Sequence, residues 1–378
     1  MWALLFLLLP VAAYSGWAIG RRSLPSKSYN LVPKYFTGLN CLNDNQDKDI
    51  DTLLKFRGND EEMVETNIYI GSLFRSCGDV SKAIRVHQGL LKQKLSTRIR
   101  SLISLELARD YISSGMLDRG ESILIELVAS GEHLSTSLQY LLDIYQQGKE
   151  WEAAIDVAQR LTKVTKKDNS LLIAQFNCEL AEIALTQKNL DATSKYLKQS
   201  LQANSNCVRA FIGQGNLEQA DGNFKIALKS YLQVVENNVD YFSEVLPMIA
   251  ESYKQLNNHA GFEQFLKNCI KQHPNNSVIL AFADLLKENN LLEATVFITE
   301  YLKVHPSIHG IQKLLELNTP ADGTTDKILH VVRDILAKLL NKLPSYRCDS
   351  CGFTANKLEW HCPSCKQWEK IKPVLNSF

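Results

Sequence analysis

Residues 101–134, SLISLELARDYISSGMLDRGESILIELVASGEHL, contain one full copy of the unit that decides the fold. Apolar side chains recur at helical spacing on both sides of Gly115, so the stretch reads as two helices joined by a short turn. Within it, small Ala108 is followed three residues later by bulky Tyr111 and twelve later by small Gly120. The same triplet recurs as Gly71, Phe74, Ala83; Leu142, Tyr145, Ala154; Ala181, Ala184, Thr193; Gly215, Glu218, Ala227; and Ala250, Tyr253, Phe262.

Taking the small residue as the eighth of its unit, the repeats begin near residues 31, 64, 101, 135, 174, 208, 243 and 275, at spacings from 32 to 39. Pro274 and Pro306 fall at position 32, where a helix must stop. Gly78, Gly115, Gly148 and Gly222 sit at the turns between helices. The pattern resembles the tetratricopeptide repeat, a helix hairpin in which small residues let two helices approach closely. Glu218 departs from it in a slot that is usually apolar, as does Phe262 in one that is usually small, and the first unit, with Gly38 and Ile50, fits least well.

The expected fold class is therefore all-α: a tetratricopeptide superhelix over 31–306, terminal capping helices over 307–343, and two further elements at the chain ends. Stacked repeats leave a concave groove lined by the first helix of each unit. This register puts Arg75, Arg109, Gln139, Asp143, Gln146, Glu182, Arg209, Asn216 and Glu251 on the expected partner-binding groove. Arg75 and Arg109, in adjacent units, are placed to grip a partner's carboxylate.

At the N-terminus, residues 1–20 carry no charged side chain and are dominated by Leu, Ala, Val, Phe and Trp, while Arg21 and Arg22 follow directly. About 20 helical residues cross a hydrocarbon core of roughly 30 Å. A secretory signal opens with positive charge, and here the charge follows the apolar run. The expectation is one uncleaved transmembrane anchor, a linker over 21–30, and the rest of the chain on the cytoplasmic side of a bacterial inner membrane. Gly16 and Gly20 form a small-xxx-small pair on which a homodimer could pack.

Residues 344–378 form the second end element. Cys348-Asp349-Ser350-Cys351-Gly352 is followed, with ten residues between Cys351 and Cys362, by Cys362-Pro363-Ser364-Cys365. Two Cys-x2-Cys turns can set four thiolates tetrahedrally about one metal ion, and so Cys348, Cys351, Cys362 and Cys365 are the expected ligands. Zinc is the expected ion and iron the alternative, because a four-thiolate set accepts both. Rubredoxin knuckles usually carry glycine after the second cysteine of both turns, whereas Lys366 stands in the later position. Tyr346, Phe353, Trp360 and Trp368 interleave with Lys357, Lys366, Lys370 and Lys372. That composition suits either a nucleic-acid-binding ribbon or aromatics that pack the module onto the last helices, and packing is the expectation.

Composition sets few further bounds. Lys plus Arg number 42 against 41 acids, so no global field points to nucleic acid. Nine cysteines, four of them clustered at the C-terminus and the rest scattered, fit a reducing compartment better than a disulfide framework. No phosphate loop, nucleophile elbow or His-Glu-x-x-His motif occurs, so a non-catalytic scaffold is expected, with a rubredoxin-type iron redox protein or a zinc-ribbon nucleic-acid binder as alternatives.

The Leu4-to-Pro10 opening, Arg21 and Arg22, the repeats, and the tail from Tyr346-Arg347-Cys348 through Trp360-His361-Cys362 to Ile371-Lys372-Pro373 occur in one order. Together they resemble the lipopolysaccharide assembly protein B family of Gram-negative bacteria, over the full chain. The resemblance implies a regulator coupling lipopolysaccharide synthesis to proteolysis of the lipid A-committing deacetylase through a membrane AAA metalloprotease, with other lipopolysaccharide assembly proteins as partners. It also implies a rubredoxin-like knuckle docked on the repeats.

Overall fold

Helix hairpins recur along the chain because each helix presents an apolar stripe that its neighbour can cover. A computed structural model describes residues 61–272, 275–318, 327–340 and 343–374. The expected anchor (1–20), linker (21–30) and first repeat lie outside the described residues. Among the described residues, no helix is long and apolar enough to cross a membrane.

Two compact units divide after Gly148. In the first, α1 (Glu61–Ser76) pairs with α2 (Val80–Leu91) and α3 (Thr97–Ser113) with α4 (Leu117–Ser130), followed by α5 (Leu134–Gly148). The second opens on α6 (Trp151–Thr165) and continues with the hairpins α7 (Ser170–Thr186) with α8 (Leu190–Ala203), and α9 (Val208–Ala220) with α10 (Phe224–Asn237). Next come α11 (Phe242–Gln255), α12 (His259–Gln272), α13 (Asn276–Asn289), α14 (Leu291–Val304), α15 (Ile308–Asn318) and α16 (Lys327–Leu340). A small antiparallel sheet closes the chain: β1 (Tyr346–Cys348) is central, flanked by β2 (Thr354–Ala355) and β3 (Ile371–Pro373). Tyr346 faces Ala355 on one side and Pro373 on the other.

The predicted small slots are where helices touch. Ala83, Ala108, Ala154, Ala181 and Ala227 are buried, as are their bulky partners Phe74, Tyr111 and Tyr145. A Cβ on Gly215 would enter the ring of fully buried Tyr231, and one on Gly71 would meet His87 Nε2 at 2.5 Å. The hairpin turns need one left-handed residue, supplied at Gly78, Gly115 and Gly222. Elsewhere the role passes to Lys149, one residue beyond the predicted Gly148, and to Lys188 and Asn257. Glu218, the apolar-slot exception, instead accepts a hydrogen bond from Asn223 Nδ2 at 2.9 Å across its hairpin turn.

In the first unit a buried polar network ties α1, α2 and α3 together. Arg75 donates to Glu106 Oε2 at 2.5 Å and to Asp110 Oδ1 at 2.6 Å. His87, wholly buried, lies 2.5 Å from Asp110 Oδ2 through Nδ1 and 3.2 Å from the Ile68 carbonyl through Nε2. Asp110, itself fully buried, is therefore the shared acceptor of a half-buried arginine and a wholly buried histidine.

Removing that acceptor should strand the buried His87 and leave Arg75 held by Glu106 alone. Asp110→Ala is expected to destabilise the first unit by roughly 3–5 kcal/mol, the usual cost of breaking one side of a buried charged pair. Lys267→Ala, which removes an exposed pair with Glu263 and a distant contact over the Phe282 ring, should change stability by less than about 1 kcal/mol. Urea midpoints followed by circular dichroism distinguish the two.

Candidate metal centre

The two Cys-x2-Cys turns are built alike. In the first, the Gly352 amide donates to the Cys348 carbonyl at 2.9 Å and the Cys348 amide to Phe353 O at 2.7 Å. The second repeats this with the Lys366 amide to Cys362 O and the Cys362 amide to Gln367 O, both 2.9 Å. Each turn needs a left-handed residue after its second cysteine, and Gly352 and Lys366 take it, at φ 76° and 58°. Lys366 thus adopts the glycine conformation at some cost in strain, and the missing glycine does not break the knuckle.

The turns bring the four predicted ligands together. Cys348 Sγ lies 3.8 Å from Cys365 Sγ, Cys351 Sγ lies 3.6 Å from Cys362 Sγ, and all four sulfurs are within 4.8 Å of one another. A tetrahedron with metal–sulfur bonds of about 2.3 Å has edges of about 3.8 Å, so the set fits one zinc or iron ion. The hydrogen bond from the Phe353 amide leads in drawing the Cys351 thiol down to about 6, while burial pushes Cys362 up to about 11. When bound, the metal would act as a covalent-strength cross-link between the two turns. His361 is not among these ligands: its Nε2 sits 2.9 Å from the Lys366 carbonyl, and its ring stacks on Trp368 at 4.5 Å.

The knuckle's own core is only Cys348, Cys362 and Ile371, with Tyr346, Phe353 and Leu358 around it. Its remaining aromatic surface is covered by the helices of the second unit. Trp368 meets Trp151 of α6 and Phe176 of α7 edge-on, at 6.1 and 5.8 Å, while Trp360 stacks on Tyr241 at 5.3 Å. Polar clamps fix the register: Tyr241 Oη donates to Ile371 O at 3.1 Å, and Tyr346 Oη to Glu244 Oε1 at 2.9 Å. Lys372 bridges Asp240 at 2.6 Å and Asp349 at 2.9 Å. Packing of the aromatics holds, but the expected seat on the last helices does not. The seat lies on α6, α7, α9 and the turn into α11, where Trp151, Phe176, Arg209 and Tyr241 meet the two indoles. Lys357, Lys366 and Lys370 remain exposed.

This geometry reassigns part of the predicted groove. Arg209 is buried, donates to Glu179 at 2.8 Å and Glu182 at 2.7 Å, and lies 5.9 Å beneath the Trp360 ring. Arg209 and Glu182 therefore belong to the seat of the knuckle. Arg75 and Arg109 do grip a carboxylate, but it is the chain's own Glu106, with Arg109 Nη1 at 2.6 Å. Gln139, Asp143 and Asn216 are exposed; Asn216 accepts from Tyr231 Oη at 2.9 Å. Gln146 is half-buried. Glu251 accepts from Gln255 and lines a cavity of about 390 Å3 with Tyr253, Phe262 and Asp284. Sequence reasoning did not find Trp151, Phe176, Asp240, Tyr241 and Glu244, since each looks like an ordinary residue of its own helix.

Comparison with known proteins adds to this geometry. A family model described as a rubredoxin metal binding domain matches residues 346–373. The chain is 38% identical over 383 residues to lipopolysaccharide assembly protein B of Escherichia coli (strain K12), covering 99% of this chain and 98% of the relative. It is 35% identical over 390 residues to the Haemophilus influenzae protein of the same name, with the same coverage. Among solved structures, a tetratricopeptide repeat protein from Parabacteroides merdae aligns with 72% of this chain and 98% of its own at 12% identity and TM-score 0.32.

Two measurements test the centre. Cys348→Ser should lose the bound metal and release Trp360 and Trp368 from their seat, seen as one fewer equivalent of metal by elemental analysis and a red shift of tryptophan fluorescence. Glu369, in the same interface, is raised to about 7, chiefly by burial. A raised carboxyl favours the protonated form in the folded state, so its stabilisation is complete below about 4.5 and is lost as pH rises towards 7. Glu369→Gln should therefore stabilise the metal-loaded protein at pH 8 by on the order of 2 kcal/mol, read as a higher urea midpoint, and by less at pH 6.

Proposed function

The chain belongs to the lipopolysaccharide assembly protein B family, and from that premise we propose that it is a non-catalytic adaptor anchored in the bacterial inner membrane. Similarity along nearly the whole chain carries this reading, because it includes the repeats and the knuckle in the same order. An adaptor needs an address, a surface for partners and a rigid module. Residues 1–20 have the composition of an address: an apolar run followed by Arg21 and Arg22 keeps the remainder on the cytoplasmic side. Helix hairpins at the tetratricopeptide period supply the surface, and Gln139, Asp143 and Asn216 are predicted groove positions that stay exposed on it, Asn216 while accepting from Tyr231 Oη.

In this role the protein presents the lipid A-committing deacetylase to a membrane AAA metalloprotease and so sets the rate of lipopolysaccharide synthesis. The knuckle carries zinc as a structural ion. Its aromatics support a scaffold over a nucleic-acid reader: Trp360 stacks on Tyr241 and Trp368 on His361, rings of the chain itself, which removes the base-stacking platform such a reader needs. Pairing of anchors through Gly16 and Gly20 would make the adaptor a homodimer.

The test is the half-life of the deacetylase in cells before and after depletion of this protein, with the metalloprotease present throughout. Depletion should lengthen it several-fold, and Cys348→Ser should behave as depletion. An unchanged half-life would rule out the adaptor role while leaving the architecture intact.

A further inference from the structure

Outside the metal centre, one pair of thiols faces each other in the second unit. Cys178, in the middle of α7, and Cys207, which caps the N-terminus of α9, are both buried, with their sulfurs 4.0 Å apart. Neither is surrounded only by hydrocarbon. Ser200 Oγ lies 3.3 Å from Cys178 Sγ, Gln175 Nε2 lies 3.8 Å from Cys207 Sγ, and Arg209 follows two residues after Cys207. A thiol at a helix N-terminus beside an arginine is in the setting that favours the thiolate. In keeping with it, Cys207 is drawn below the ordinary thiol range, first by the hydrogen bond from Cys178 and then by Ser200, the Ala210 amide and the Arg209 charge. Cys178, as donor of that hydrogen bond in a buried place, is raised. The third buried thiol, Cys269, has no such partner and is pushed up to about 11 by burial.

We infer that Cys178 and Cys207 are a second thiol site in this protein, a modification site at which a hydroperoxide converts the pair to an intramolecular disulfide. In the first step the Cys207 thiolate attacks one peroxide oxygen. The O–O bond breaks, the other oxygen leaves as water with the proton that Cys207 gave up, and Cys207 becomes a sulfenic acid. Cys178 then attacks the Cys207 sulfur. The S–S bond forms, the S–O bond breaks, and hydroxide departs with the Cys178 proton as water. Two thiols lose two hydrogens in all, and one hydrogen peroxide is reduced to two waters. The sulfurs have about 2 Å to close, a distance within reach of side-chain rotation.

Position gives the site a consequence. Cys207 is two residues from Arg209, whose guanidinium underlies Trp360, and its charge is felt by Glu369 of the knuckle. The disulfide would thus form directly beneath the docked metal module and record the oxidation state at that seat.

The test uses the full-length, metal-loaded protein treated with hydrogen peroxide, alkylated under denaturing conditions and digested with trypsin. Peptides 168–188 and 199–209 should appear joined, with loss of two alkylatable thiols that dithiothreitol restores, and with Cys269 unchanged. Cys178→Ser should leave Cys207 as a sulfenic acid captured by a dimedone probe, and Cys207→Ser should abolish both the linkage and the capture. The inference is overturned if Cys207 stays alkylatable after treatment, or if it links to a knuckle cysteine in place of Cys178. The wild-type peptide result stands even if a serine variant fails to fold.

Discussion

A module of about thirty residues has too little interior to fold on apolar burial alone, and that shortage organises the C-terminal half of this protein. Four thiols close the two turns at one end, while Trp360 and Trp368 find little cover within the module beyond the His361 ring that stacks on Trp368. The cover comes from Trp151, Phe176 and Tyr241. Aromatic pairs of this kind add specific geometry to area burial, so the knuckle has one seat rather than many. The metal and the seat each complete what the other lacks.

The same docking explains why charged residues lie where a repeat protein would otherwise leave a free surface. Arg209 is tolerated in a buried position because Glu179, Glu182 and Gln175 supply its hydrogen bonds and Trp360 covers its face. A guanidinium is suited to this, being planar and able to stack while its edge donates. In the first unit Arg75 is used in a related way, binding Glu106 and Asp110 of the next hairpin. Both arginines act as ties between neighbouring repeats, a stronger constraint than apolar contact alone, since each fixes the register of one helix against another.

For a family whose members are named for lipopolysaccharide assembly, such rigidity has a functional sense. A terminal module held at a fixed place on its own repeats gives the second unit one composite face. The paired thiols under that face add chemistry that the scaffold itself does not require.

How much of this was legible beforehand depended on whether a feature is local. The triplets around Ala108 and Gly215 marked the hairpins because a close helix approach demands a small residue at a set spacing, and the cysteine spacing marked the metal turns for an equally local reason. Lys366 shows the limit: a glycine-like backbone was required there, and only the folded turn could show that lysine adopts it. The partners of Arg75 and Arg209, the seat of Trp360 and Trp368, and the approach of Cys178 to Cys207 join residues from separate helices. Periodicity says that a helix has a buried face, but which foreign side chain fills it depends on how successive hairpins pack. The sequence by itself therefore determined the elements and the ligand set; only the tertiary structure decided which charges are neutralised within the chain and where the knuckle rests.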